Sequence, residues 1–353
     1  MRRISITQAV NWLSRRDVIR GIGASAFFAT AGHRAHGAEY HQADTSWLAN
    51  CSFGVSSHWT ASSQPVGEDD WVPFEDAVSR FDVSRYVDRI ADAGAQYIIF
   101  TTTHAKQMLP APCAAIDRIA PGRTTKRDLL QDLADACHSR QLRFIGYYNH
   151  SCNHGDDPDW EYAVGYHAKD KSRLVSNLTG ILRELGTRYG SKLDAWWFDS
   201  CPALDPRGVY DAVSTDMHGF QFPWEEWTAA AKAGYDARLV TLSSAMLTHF
   251  LYSTHQDYEA GEANDLVAVP SSQFTPDHLQ AHRWVCLDNP EWIHYRVMTP
   301  LAPPRFRLDS VAQYVSTCNK SKVPVTFNID TDRTGLMSQE SLALLHKVKS
   351  QIA

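Results

Sequence analysis

The sequence predicts an α/β protein of the (β/α)8, TIM-type barrel class. Three observations carry this. After residue 45, short apolar runs rich in β-branched and aromatic residues alternate with stretches of helical period. Repeated strand–helix pairs imply parallel strands joined by right-handed crossovers. About eight such pairs fit the roughly 300 residues of the mature chain, the size of such a barrel. A doubly wound open sheet is the alternative. No G-x-G-x-x-G or Walker-type phosphate loop follows any strand, which weakens its usual nucleotide-binding forms.

The elements follow in order. Cys51–Ser56 is a short strand. Ser84–Ala93 reads as a helix capped by Ser84, with Gly94 just past its end. Gln96–Thr101, QYIIFT, is a nearly continuous run suited to a strand buried on both faces. Lys126–Arg140 carries Leu129, Leu130, Leu133, Ala134 and Cys137 at helical spacing. Arg143–Tyr148 is a strand, Val175–Tyr189 a helix, Ala195–Asp199 a strand, Trp224–Ala233 a helix and Leu239–Ser243 a strand. Thr248–Tyr295 has no clear period. Order returns with helix Leu308–Asn319, strand Val323–Asn328 and helix Ser338–Ile352.

The first 37 residues read as an export signal and residues 38–353 as the catalytic domain. Ser14-Arg15-Arg16-Asp17 precedes a weak apolar run, Gly21–Ala31, too short to span a bilayer. A twin arginine in this setting points to twin-arginine export to the periplasm or beyond, with cleavage before Ala38. No later segment is apolar enough to anchor the mature chain in a membrane. A net charge of −6 argues against a nucleic-acid partner. Seven cysteines, an odd number, show no C-x2-C spacing, so neither a zinc ribbon nor a disulfide framework is expected. His150, Cys152, His154, Asp156 and Asp157 form a loose cluster without rigid metal-ligand spacing, better read as loop composition. No cofactor or metal is expected.

The chemistry of a barrel sits at the C-terminal strand ends. Here these read Ser56-Ser57-His58-Trp59, Thr101-Thr102-Thr103-His104, Tyr147-Tyr148-Asn149-His150 and Asp199-Ser200. Asp199 follows the apolar run Ala195–Phe198 directly. A carboxylate there can attack an anomeric carbon, with the neighbouring Trp side chains shaping a sugar site. Taken alone, it fits a helix cap equally well.

Several segments, in order, resemble the α-L-fucosidases of glycoside hydrolase family 29. They are FGVSSHW, FDVSRYVDRIADAGAQYIIFTTTH, KRDLLQDLADACHSRQLRFIGYYNH, LDAWWFDS and VPVTFNIDTDRTG. The resemblance implies a retaining exo-glycosidase acting on terminal fucose of a carbohydrate substrate. It implies Asp199 as nucleophile, and His58, His104, Tyr148 and Trp197 as contacts of the bound sugar. Trp59 is either a second wall or core. The acid/base falls in Asp257–Glu262, with Glu262 at the matching place and Glu259 in reserve. A later W-E-x-C glutamate used by some members is Val285 here.

This chain departs from the pattern in four ways, one being Thr334-Gly335 where the family ends its last motif in D-G. The second of two adjacent histidines after strand two is Ala105. The run Leu242–Met246 lacks the arginine that family members bring to the site. The sequence ends after its last barrel helix, where many members carry a β-sandwich. Two other readings therefore stand beside the first: the same chemistry on another sugar such as L-galactose, and a sugar-binding barrel without catalysis.

Overall fold

The computed structural model describes residues 42–67, 71–104, 106–152, 157–201, 217, 219–243 and 251–352. The proposed signal segment lies outside them. Eight parallel strands are described: β1 (Phe53–Ser57), β2 (Tyr97–Thr103), β3 (Arg143–Asn149), β4 (Ala195–Asp199), β5 (Leu239–Leu242), β6 (Glu262–Asn264), β7 (Arg283–Cys286) and β8 (Val325–Asn328). Their order is β5-β4-β3-β2-β1-β8-β7-β6. The gap between β5 and β6 is spanned by residues 257–261. There Asp257 N donates to Val240 O (2.8 Å), Thr241 Oγ1 to Tyr258 O (2.6 Å), and Trp284 N to Gly261 O (2.8 Å). The strands thus curl into the barrel that the alternating pattern predicts.

The two faces of each strand feed two cores, because successive side chains point opposite ways. Tyr97, Ile99, Ile145, Tyr147, Ala195, Trp197, Leu239 and Trp284 fill the barrel interior. Ile98, Phe100, Phe144, Tyr148, Trp196, Phe198 and Val240 pack outward against the helices. The interior is aromatic: Tyr147 stacks on Trp197 (5.1 Å, 14°), and Trp284 meets Trp197 edge-on (4.6 Å).

The helical layer contains α1 (Ser46–Ala49), α2 (Phe74–Arg80), α3 (Val83–Ala93), α4 (Ala114–Ile119), α5 (Leu129–Ser139), α6 (Pro158–Val164), α7 (Ser172–Tyr189), α8 (Trp224–Ala231), α9 (Leu308–Lys320) and α10 (Gln339–Ile352). Helix α3 buries Tyr86, Val87, Ile90 and Ala93 on one stripe. Its cap is Asp82 rather than Ser84: the Asp82 carboxylate accepts from Arg85 N at 3.0 Å, while Ser84 is already inside the first turn. Gly94 ends the helix in the left-handed conformation (φ 95°), as expected. Between β4 and β5, Arg238 is fully buried and donates to five carbonyls: Leu193, Gly186, Gly190, Ala231 and Ala233. Burial pushes its guanidinium down to about 10, so it remains charged at neutral pH.

Candidate active site

Asp199 ends β4 and stands opposite Asn149 in the β3 pairing. It is half-buried. Its Oδ2 accepts from the Tyr147 hydroxyl (2.6 Å) and from Asn149 Nδ2 (3.2 Å), and Oδ1 accepts from Ser200 N (2.8 Å). Ser200 holds a left-handed backbone (φ 47°), the sort of strain that gathers where geometry serves function. Behind the strand end, His150 donates from its main-chain N–H (3.1 Å) and its Nδ1 (3.0 Å) to the Asp199 carbonyl. Burial holds that ring at about 4, so it is neutral at ordinary pH.

The neighbouring strand ends build an aromatic wall beside this carboxylate. His58 lies edge-on to Tyr147 (4.8 Å) and His104 (5.6 Å), and near Trp284 (5.3 Å) and Trp292 (5.2 Å). His104 stacks on Tyr147 (5.9 Å, 26°). Asn328, at the end of β8, organises the group. Its Oδ1 accepts from Ser56 Oγ (3.1 Å) and His58 Nδ1 (3.0 Å), and its Nδ2 donates to Trp292 O (2.9 Å). Since Oδ1 only accepts, His58 carries its proton on Nδ1.

Strand β2 reaches the mouth through a bulge: Thr101 pairs with Tyr147 and Thr103 with Tyr148, leaving Thr102 extra. Such bulges re-aim a strand beside a site. The three threonines do not form a sugar-facing surface. Their hydroxyls donate to Ser57 O (2.7 Å), Tyr147 O (2.8 Å) and Asn149 O (2.8 Å), tying the strand ends together.

The two glutamates proposed as acid separate clearly. Glu259 is buried against Arg283 (2.7 Å), and both act electrostatically on Tyr314 in α9, on the outer side of the strand layer. Gly261 then adopts φ 71°, with the His282 carbonyl 2.0 Å from where a Cβ would stand, so only glycine fits. After this turn comes Glu262, half-buried at the start of β6. Burial, then the charge and hydrogen bond of Asp199, and last the charge of Glu262 raise the Tyr147 hydroxyl well above its usual range. Glu262 also adds to burial in raising the Cys286 thiol. Glu262 thus follows the turn at the start of β6, and Glu259 is tied to Arg283.

The structure brings together Asp199, Glu262, His58, His104 and Trp197. It does not bring Tyr148 or Trp59 to the mouth. Tyr148 points outward and accepts at its hydroxyl from Gln107 Nε2 (2.6 Å). Its neighbour Tyr147 takes the inner place. Trp59 packs outward among Phe74, Phe81 and Phe100, and its Nε1 donates to Arg333 O (3.2 Å). Just past the end of β1, His58 turns to the interior aromatics and Trp59 to the outer ones. Sequence reasoning placed Tyr147 and Asn149 at a strand end without giving them a role, and missed Trp284, Trp292 and Asn328. The pairing of Tyr147 with Trp197 would have marked Tyr147 as inward, since paired residues share a face.

The loose His/Cys/Asp cluster has structural work instead. Cys152 donates to His150 O, and Asp157 caps α6 and pairs with Arg123. His154 and Asp156 lie outside the described residues, as do Ala105 and most of the run without arginine. Among the described residues no group of three or more His, Cys, Asp or Glu is arranged to hold a metal ion. No described helix is long and apolar enough to cross a membrane.

An aromatic-lined mouth with carboxylates at strand ends, set on a parallel barrel, is the architecture of a glycoside hydrolase, and the comparisons with known proteins agree. The α-L-fucosidase family model matches residues 77–317, and the chain belongs to that family. It is thus a fucose-acting glycoside hydrolase with a carbohydrate substrate. Solved structures share the fold at low identity. An endo-fucoidan hydrolase of glycoside hydrolase family 107 superposes with a TM-score of 0.61 at 11% identity, over 88% of this chain and 93% of that one. α-L-Fucosidase isoenzyme 1 from Paenibacillus thiaminolyticus gives 0.60 at 18%, over 87% and 74%. The α-L-fucosidase AlfC from Lactobacillus casei, in complex with its fucose product, gives 0.60 at 15%, over 87% and 97%. The chain spans only 53% of the length of a second family 107 endo-fucoidan hydrolase. No curated protein sequence matches it significantly.

Proposed function

We propose that the protein is a retaining exo-α-L-fucosidase with Asp199 as nucleophile and Glu262 as acid/base. The observation that carries this reading is Asp199 at the end of β4, held at the barrel mouth by the Tyr147 hydroxyl and the Asn149 amide. In the first step an Asp199 oxygen bonds to the anomeric carbon. The bond from that carbon to the aglycone oxygen breaks, and the oxygen takes its proton from Glu262. In the second step water attacks the same carbon and gives a proton to Glu262, and the electrons of the ester C–O bond return to Asp199. His58, His104 and Trp197 border the sugar. The test is hydrolysis of 4-nitrophenyl α-L-fucoside by purified protein, with the first-formed anomer read by NMR. α-Fucose as first product supports the reading; β-fucose overturns it.

A second reading is cleavage within a fucose polymer. The likeness to an endo-fucoidan hydrolase over 93% of that chain favours it. Fragments from a fucose polymer, with no free fucose and no turnover of aryl fucoside, would establish it over the exo reading. We also propose that residues 1–37 direct twin-arginine export. A periplasmic product starting at Ala38, lost on Arg15→Lys with Arg16→Lys, is the expected result; a cytoplasmic full-length chain refutes it.

A further inference from the structure

We infer that Tyr147 and Asn149 are positioning residues that govern the departure of Asp199 from the sugar more than its attack. This rests on the retaining reading above. Both side chains donate to one carboxylate oxygen, Oδ2, at 2.6 and 3.2 Å. Neither is free to turn away. The Tyr147 ring is stacked between Trp197 and His104 and met edge-on by His58. The Asn149 amide is fixed because its Oδ1 accepts from Ser151 N at 2.7 Å, which leaves Nδ2 for Asp199. Ser151 holds a left-handed backbone (φ 49°) to reach it.

The consequence follows from charge. A carboxylate accepts strong, charge-assisted hydrogen bonds, and an ester accepts weak ones. When Asp199 attacks, it loses its charge, and the two bonds weaken. When the ester breaks, the charge returns to Asp199, and the two bonds strengthen in that transition state. Donors already in place there assist the second step and hold back the first. Their removal leaves the carboxylate a better nucleophile and a poorer leaving group.

The experiment uses 2,4-dinitrophenyl α-L-fucoside, whose leaving group needs little acid assistance, so that breakdown of the ester limits turnover. For Tyr147→Phe, kcat is expected to fall on the order of 10- to 100-fold, the worth of a hydrogen bond to a charged group. KM falls at least as far as kcat, so kcat/KM, which reports the first step, is maintained or rises. A burst of dinitrophenolate equal to the enzyme appears, and intact mass shows one added deoxyhexose on the variant. A merely structural role would lower kcat and kcat/KM together, with no burst and no added mass; that result overturns the inference. Asn149→Ser reads the same oxygen if Tyr147→Phe does not fold. Failure of the underlying reading looks different: Asp199→Gly would then turn over like the wild type, or the first product would be inverted.

Discussion

Asp194 and Asp199 bracket the strand core Ala195–Phe198, and both are aspartates at the edge of the same β-strand. Asp194, at the base, is buried. Its Oδ2 accepts from Phe144 N (2.8 Å), and its Oδ1 takes Arg143 Nη1 (2.7 Å). Asp199, at the mouth, is half-buried and accepts from Tyr147, Asn149 and Ser200. The base carboxylate joins adjacent strands. The mouth carboxylate is oriented by a phenol, an amide and a main-chain N–H. Asp257 repeats the base arrangement next door, accepting from Val240 N (2.8 Å), Ala43 N (2.7 Å) and Lys232 Nζ (2.9 Å). Position sets the two apart: Asp194 closes the base of β4 beside a guanidinium, and Asp199 stands at the mouth, where the proposed chemistry needs a carboxylate.

The sharpest way to break this contrast is Asp199→Gly. Turnover of aryl fucoside should fall by more than about 10⁴-fold, as when a nucleophile is removed elsewhere, with the thermal midpoint little changed. Retained activity would make the two aspartates alike. Glu262→Gln is next, with an expected loss on the order of 10²–10⁴-fold on poor leaving groups and much less on dinitrophenolate. Glu259→Gln should leave turnover near wild type and lower stability instead. If its kinetics match those of Glu262→Gln, the separation of the two glutamates is wrong. Asp194→Ala should lower stability by about 1–3 kcal/mol through the unpaired Phe144 N–H, with kcat of the folded fraction intact. Urea denaturation with activity assays on the same samples checks this.

The smallest effect concerns pH. Burial holds His150 and His282 neutral, each at about 4. Below about pH 6.5 the unfolded chain protonates them and the folded chain does not, so stability falls as pH drops toward 4. Asp288, pushed by burial up to about 7, opposes this, because the folded chain holds a proton there that the unfolded chain has released. His255, also lowered by burial, acts with the two rings, and His294, where burial is overcome by Asp330 and the ring is raised, acts with Asp288, so replacing His150 or His282 with Gln should remove part of the acid-side loss. Urea midpoints of wild type and His150→Gln at pH 7 and pH 5 measure it; an equal fall in both proteins would show that the His150 ring is not held neutral.

Most strands and helices outside residues 248–295 were legible, because their apolar periods are long enough to read. Asp199 was legible as a strand-end carboxylate. The residues alone left it equally a helix cap, and the nucleophile reading came from the resemblance; the Tyr147 and Asn149 donors to it show only in the pairing with β3. Tyr147 and Tyr148 are identical neighbours, so composition could not choose the inner one, and the resemblance favoured the outer. The middle segment resisted reading because β6 and β7 are three and four residues long with no helix between them. Trp292 gives no signal at all: it lies in a loop and reaches the wall through a left-handed turn (φ 68°) and the Asn328 amide.

Arg238 bears on how this barrel tolerates change. Its five acceptors include Gly186 and Gly190, around the end of α7, and Ala231 and Ala233, around the end of α8. Helix C-termini carry partial negative charge, so one cation serves both ends at once. Lysine, with three donors, would leave acceptors stranded. A frame riveted at its floor lets the loops overhead drift in length and composition without dislocating β4. An engineer seeking a new sugar specificity should therefore rebuild from the rim and leave the floor alone.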